Sequence, residues 1–200
     1  MAPKTSLNEV YSYLNESINY KNAVKTRVSK IILGSSVIRV FKEGSKVNLF
    51  TCLEKIDVNH LLTIQSQKEY DSWHLSNINK IYNCLKQEQS NIDRLSEEGL
   101  KWGHATKIFN LFIGHLVTMS PYFDKTKDYE RIKFYLHVPL DSKVFEVLRD
   151  CLIEDVPKNI KQVTQKAYKN IQSLLRNAAE IYTIPVLYFD EYAWAMDKAK

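Results

Sequence analysis

A mainly α, single-domain fold with a minor β element is what this 200-residue sequence predicts. Three observations carry the prediction. Apolar residues make up 44% of the chain and aromatics 12%, enough for a packed core and too much for a disordered chain. Gly and Pro number five each, too few turn-formers for a sandwich or barrel. Most of the chain's apolar residues recur at the three- and four-residue spacing of helices. The length suits about one domain, so residues 1–200 read as one unit, with 1–50 a basic subregion.

The elements follow in order. Residues 5–20 read as a helix: Ser6 and Glu9 have capping-box spacing, and Leu7, Val10, Tyr11, Leu14 and Ile18 keep the period. A second helix extends through Ile32 and stops at Gly34. SSVIRVF, 35–41, reads as a short strand. VNLFTCLEKI and VNHLLTIQSQ read as two short helices with Asp57 as the cap between them. The next helix turns Trp73, Leu75, Ile78, Ile81, Tyr82 and Leu85 inward, and a longer one spans 94–118 until Ser120 and Pro121 halt it. KFYLHVPL suggests a strand at 133–139, after which Asp141 or Ser142 caps VFEVLRDCL. Pro157 fits the first turn of a last helix to Tyr182, with Ile160, Val163, Ala167, Ile171, Leu174, Ala178 and Ile181 on one stripe. IPVLYF, 184–189, reads as a short strand or extended tail.

The formal charge of +5 and the pI of about 8.9 suit an anionic partner. Two basic segments stand out. The stretch from Pro157 to Ala179 carries Lys158, Lys161, Lys166, Lys169 and Arg176 and no acid. On one continuous helix Lys158, Lys169 and Arg176 fall within about 20° of a line. The second segment holds Lys21, Lys25, Arg27, Lys30, Arg39, Lys42 and Lys46 against Glu43 alone. Each reads either as a solvated face or as a contact for nucleic-acid phosphates.

Cys52, Cys84 and Cys151 are odd in number and form no CxxC, which argues against a disulfide framework or a structural zinc and for a reducing cytoplasm. No cofactor or metal is expected. The N-terminus lacks an apolar signal core, and no apolar run reaches the roughly 18 residues of a membrane span.

GLKWGHATKIFNLFIGHLV, 99–117, raises the sharpest question of chemistry. His104 and His115 are eleven apart, so they share a helix face but sit about 16 Å apart along it, too far for one metal ion. Gly99 and Gly103 leave one side of the helix start smooth, open to a close backbone or ligand. One reading makes both histidines packing residues with a hydrogen bond each. The other sets Lys101, Trp102, His104 and Lys107 around an anion or scissile bond, with His104 as general acid or base and Lys101 and Lys107 as charge stabilisers. Asp141, with His137 nearby, and Asp190–Glu191 follow the two apolar runs, where two-metal nucleases place carboxylates. No lysine stands two residues after Glu191, and Asp141 is better explained as a cap. Tyr182, Tyr188, Tyr192 and Trp194 read as an aromatic lid or as a docking surface for a protein partner.

GHATKIFNLF, HVPLDSKVFEVL and PVLYFDEYAW, under a fifth of the chain, resemble in order and spacing stretches of uncharacterised helical proteins of bacteria and phages. The resemblance implies a prokaryotic or mobile-element origin, such as a defence system, and one packed unit built from these three pieces. It carries no activity and no site residues.

The expected function is therefore non-enzymatic binding, with nucleic acid held by Lys158, Lys161, Lys166, Lys169 and Arg176, joined by Lys25, Arg27 and Lys30. The alternatives are a nuclease- or toxin-like enzyme using His104, Lys101 and Lys107, and an interaction subunit or inhibitor docking through Tyr188, Tyr192 and Trp194.

Overall fold

The computed structural model of the chain describes residues 21–34, 45–87, 101–123 and 127–197, with isolated residues 6, 8 and 12. The expected strand at 35–41 and residues 94–100 of the expected long helix lie outside the described residues, as does nearly all of the helix expected at 5–20.

Among the described residues eight helices follow one another: α1 (Lys21–Ile32), α2 (Ser45–Glu54), α3 (Gln67–Gln87), α4 (Trp102–Thr118), α5 (Asp128–Ile132), α6 (Ser142–Asp150), α7 (Gln165–Ile181) and α8 (Tyr188–Asp197). Single 3-10 turns sit at Asn59–Leu62 and Ile160–Gln162. Helix α4 is the centre, packed against α1, α3, α5 and the turn at 160–162. Its sequence explains this. It is apolar nearly all round, and twelve of its seventeen residues are buried.

The caps are chemical. Asp141 Oδ1 accepts from the Lys143 and Val144 N–H groups at the start of α6, as expected. Thr164 Oγ1 accepts from Ala167 N at the start of α7. Before α3, Ser66 Oγ accepts from Glu69 N while Glu69 Oε2 accepts from Gln65 N, a near capping box. Asp57 does cap, but its oxygen accepts from Asn59 N to start the 3-10 turn rather than an α-helix.

Helices α6 and α7 both end in Schellman motifs. After α6, Ile153 N bonds Leu148 O and Leu152 N bonds Arg149 O, with Leu152 at φ 57°. After α7, Ile184 N bonds Ala179 O and Thr183 N bonds Glu180 O, with Thr183 at φ 54°.

The minor β element is corrected. Among the described residues there is no strand. Residues 136–140 are extended, but side chains supply what a neighbouring strand would: Gln172 Oε1 accepts from Val138 N, and Gln172 Nε2 and Asn110 Nδ2 both donate to Val138 O. The 184–189 segment forms a turn closed by local bonds from Tyr188, Phe189 and Asp190 N–H groups, and it leads directly into α8.

The last long helix is also corrected. It starts at Gln165 rather than Pro157, because Asn159 and Thr164 each form a separate cap. Its buried stripe is Tyr168, Ile171, Gln172 and Leu175, while Leu174 and Ile181 are exposed. The continuous basic stripe fails with it: Lys158 and Lys161 lie off the helix.

The cysteines prove less scattered than their spacing suggests, for the Cys84 thiol lies in hydrogen-bonding contact with Cys52, and burial pushes the Cys52 thiol up to about 12. No helix among the described residues is long and apolar enough to cross a membrane.

Candidate functional site

A cleft of about 500 Å³ opens between α3 and α7. About two turns of α3 bring Lys68, Asp71, Ser72 and Leu75 to one wall, and α7 brings Lys169, Gln172, Ser173 and Arg176 to the other. His74, His137 and Tyr168 form the floor.

The floor is a continuous polar network in an otherwise apolar interior. His137 Nε2 is 2.9 Å from Asp71 Oδ1, and its Nδ1 is 2.9 Å from the Tyr168 hydroxyl. The hydroxyl in turn lies 3.1 Å from Asn110 Oδ1. Burial holds His137 below the ordinary histidine range despite the Asp71 carboxylate beside it. Burial likewise drives the Tyr168 phenol well above its ordinary range.

Asp71 is subject to opposing effects. Burial pushes its carboxyl up, but hydrogen bonds from His137 and Gln67 and the charge of Arg176 outweigh it and hold the group at about 2. Arg176 Nη2 approaches Asp71 Oδ1 at 3.2 Å and Nη1 approaches Oδ2 at 3.5 Å, a loose fork. Nη2 is also 3.0 Å from His137 Nε2, so the guanidinium and the imidazole share one carboxylate oxygen.

Two donors in this site are left over. Arg176 Nε is buried without a partner, and so is Nε2 of His74, whose residue is 1% exposed. Burial holds His74 well below the ordinary histidine range, so its ring is neutral. An unmatched buried polar atom costs about 1–3 kcal/mol in a finished core.

The sequence-predicted residues are dispersed. Lys169 and Arg176 do meet at the cleft, about 20° apart on α7 and roughly 90° from the centre of its buried stripe. Lys166 is exposed beside a separate groove near Asp155. Lys25 donates to Ile56 O, and burial lowers its ammonium. Lys25, Arg27 and Lys30 all sit on α1, and none lines the cleft.

The histidine helix is likewise split. His104 Nδ1 accepts from Lys101 N, so its ring satisfies one backbone donor at the start of α4. His115 Nδ1 rests against Met119 Sδ, one turn on. Burial lowers both rings. Lys107 is drawn away to Asp141 Oδ2 at 2.9 Å. Gly103 fulfils its expectation: an added Cβ would stand 2.1 Å from Ile160 O, so the 160–162 turn presses directly on α4.

Asp190 joins Asp141 and Lys107, uniting the two carboxylates singled out for metal chemistry. Burial, and then the Asp141 charge, push Asp190 up to about 7, and its Oδ1 is buried without a partner. The Lys107 ammonium already balances this pair. Among the described residues no group of three or more His, Cys, Asp or Glu side chains is placed to hold a metal. Tyr188, Tyr192 and Trp194 stand exposed on α8.

Comparison with known proteins finds no matching family, no similar curated protein and no similar solved structure. The cleft's reading therefore rests on its own chemistry. Asp71, His74, Asn110 and Tyr168 escaped the sequence reading, and His137 entered it only beside Asp141, because the bonded partners lie 31 to 66 positions apart. A signal was present nonetheless: His74 and Asn110 interrupt apolar helix faces, where polar residues need partners.

Proposed function

We propose that this chain binds phosphate-bearing ligands, nucleic acid foremost, in the α3–α7 cleft. The observation that carries the reading is Arg176. Its guanidinium is held in place by Asp71 and His137, its Nε has no partner, and Lys68 and Lys169 stand exposed at the same opening. Three cations face one carboxylate, so the cleft carries a surplus of positive charge that an anion would neutralise. A phosphate oxygen is the acceptor that suits a planar guanidinium flanked by two ammonium groups.

Binding is favoured over catalysis. A general acid or base must reach the reacting atoms with a free lone pair or proton, and His74 Nε2, though unpartnered, is buried at 1% exposure. Both nitrogens of His137 are engaged, and the Tyr168 phenol is held far above neutrality.

Fluorescence anisotropy with a labelled oligonucleotide, competed by inorganic phosphate, tests the reading. Changing Lys68→Glu and Lys169→Glu together should weaken binding at least tenfold and flatten the salt dependence by roughly two phosphate contacts. Binding indifferent to both salt and this double change would sink it.

A further inference from the structure

Helix α3 has grooves on both flanks. Beside the cleft already described, a second groove of about 650 Å³ runs along the other side of α3. It is lined by His60, Trp73, Asn77 and Lys80, among others. Lys68 and Ser72 line both grooves. They form a ridge one side chain wide, with the Arg176 cleft on one side and an aromatic groove on the other.

The two flanks differ in chemistry. The first supplies cations around a polar floor. The second supplies an aromatic step: the His60 and Trp73 rings are stacked at 6.4 Å, inclined by 29°. Trp73 is anchored from beneath by Tyr70 at 6.0 Å and Phe109 at 5.5 Å, so this platform is braced by the core. His60 is exposed above it, and Lys80 stands exposed about two turns farther along α3. Alternation of cationic and stacking positions along one track is the pattern that holds a single strand, because every base has a face to stack and every linkage a charge. A duplex hides its bases in the stack and leaves the aromatic step unused.

We infer that the ligand is single-stranded nucleic acid laid across α3, with a phosphate in the Arg176 cleft, the backbone passing over the Lys68–Ser72 ridge, and a base stacked on the His60–Trp73 step. This rests on the phosphate-binding reading of the first cleft and extends it to a second contact that a lone phosphate group cannot reach.

The test compares three probes on the full chain: a labelled single strand of about ten nucleotides, the same sequence as a duplex, and a labelled mononucleotide. His60→Ala and Lys80→Glu are surface changes outside the first cleft. Together they should weaken the single strand roughly five- to tenfold while leaving the mononucleotide affinity unchanged. Lys169→Glu should weaken both probes. Single-strand affinity unchanged in the His60/Lys80 variant, with Lys169→Glu still damaging, would overturn the crossing of α3 and leave the first cleft's reading intact. A duplex bound as tightly as the single strand would overturn it too. No binding of any probe at low salt would remove both readings.

Discussion

Gly103 fixes the distance between α4 and the 160–162 turn. Alanine there would gain about 1 kcal/mol of helix propensity. Its Cβ would nevertheless meet the Ile160 carbonyl oxygen at 2.1 Å and the Val163 Cβ at 2.9 Å. Backbone cannot swing aside as a side chain can, and overpacking costs typically 1–3 kcal/mol. Gly103→Ala should therefore lower stability by roughly 1–2 kcal/mol overall, read as a lower urea midpoint at unchanged slope. An unchanged midpoint would mean that the turn yields. This glycine was legible in the sequence, since a costly residue in a core helix asks for a neighbour. The Arg176 site was not. Arg176 belonged to a basic run, and nothing local ties it to Asp71, 105 positions away, or to His137, 39 away. The pairing is a product of the fold.

At the scale of elements, the ends of α6 and α7 carry a correctable strain. Both Schellman motifs place a non-glycine residue in the left-handed region, Leu152 at φ 57° and the β-branched Thr183 at φ 54°. An L-residue pays roughly 1–2 kcal/mol for that conformation. Leu152 is 88% exposed, so its side chain offers little in return. Leu152→Gly and Thr183→Gly should each raise stability by about 0.5–1 kcal/mol, after the entropy that glycine loses on folding. Thermal unfolding of the two variants checks this, and a fall in either midpoint would show that the side chain matters more than the backbone. Helices α1 to α4 and α6 could be read from periodicity, whereas α5, α8 and the shrinkage of the VNHLLTIQSQ helix to a 3-10 turn could not. The supposed strands could not be judged that way, because whether an apolar run pairs as a strand depends on what lies beside it. At 136–140 the neighbours are Asn110 and Gln172 side chains. The stripe of α7 was misjudged for a simpler reason: Ile160 and Val163, which helped set its direction, lie before the helix, and the inward face includes the polar Tyr168 and Gln172.

For the molecule as a whole, buried titratable groups set opposing pH limits. Burial lowers His74 and His137 below their ordinary range. A histidine depressed in the fold contributes stability that is present above about pH 6.5, its unfolded value, and is lost as pH falls below it. Asp190 runs the other way. Raised to about 7 from 3.8, it holds a proton in the fold that the unfolded chain gives up earlier, so its contribution is lost as pH climbs from 3.8 through about 7. Asp190→Asn should thus be more stable than the parent at pH 8, by up to about 4 kcal/mol, and level with it below pH 4. Urea midpoints at pH 4, 6 and 8 measure this, and an Asn variant weaker than the parent at pH 8 would contradict it.

The central position of α4 has a kinetic side. Each outer helix can detach and leave most of the interior closed, but α4 touches α1, α3, α5 and the 160–162 turn at once. Its amide protons can meet solvent only when nearly every neighbour has let go. Their exchange rate therefore reports the opening of the entire chain, whereas the α7 edge beside Arg176 can breathe on its own. One wall of the cleft, α3, thus leans on the slowest-exchanging helix, while the other belongs to the freer edge.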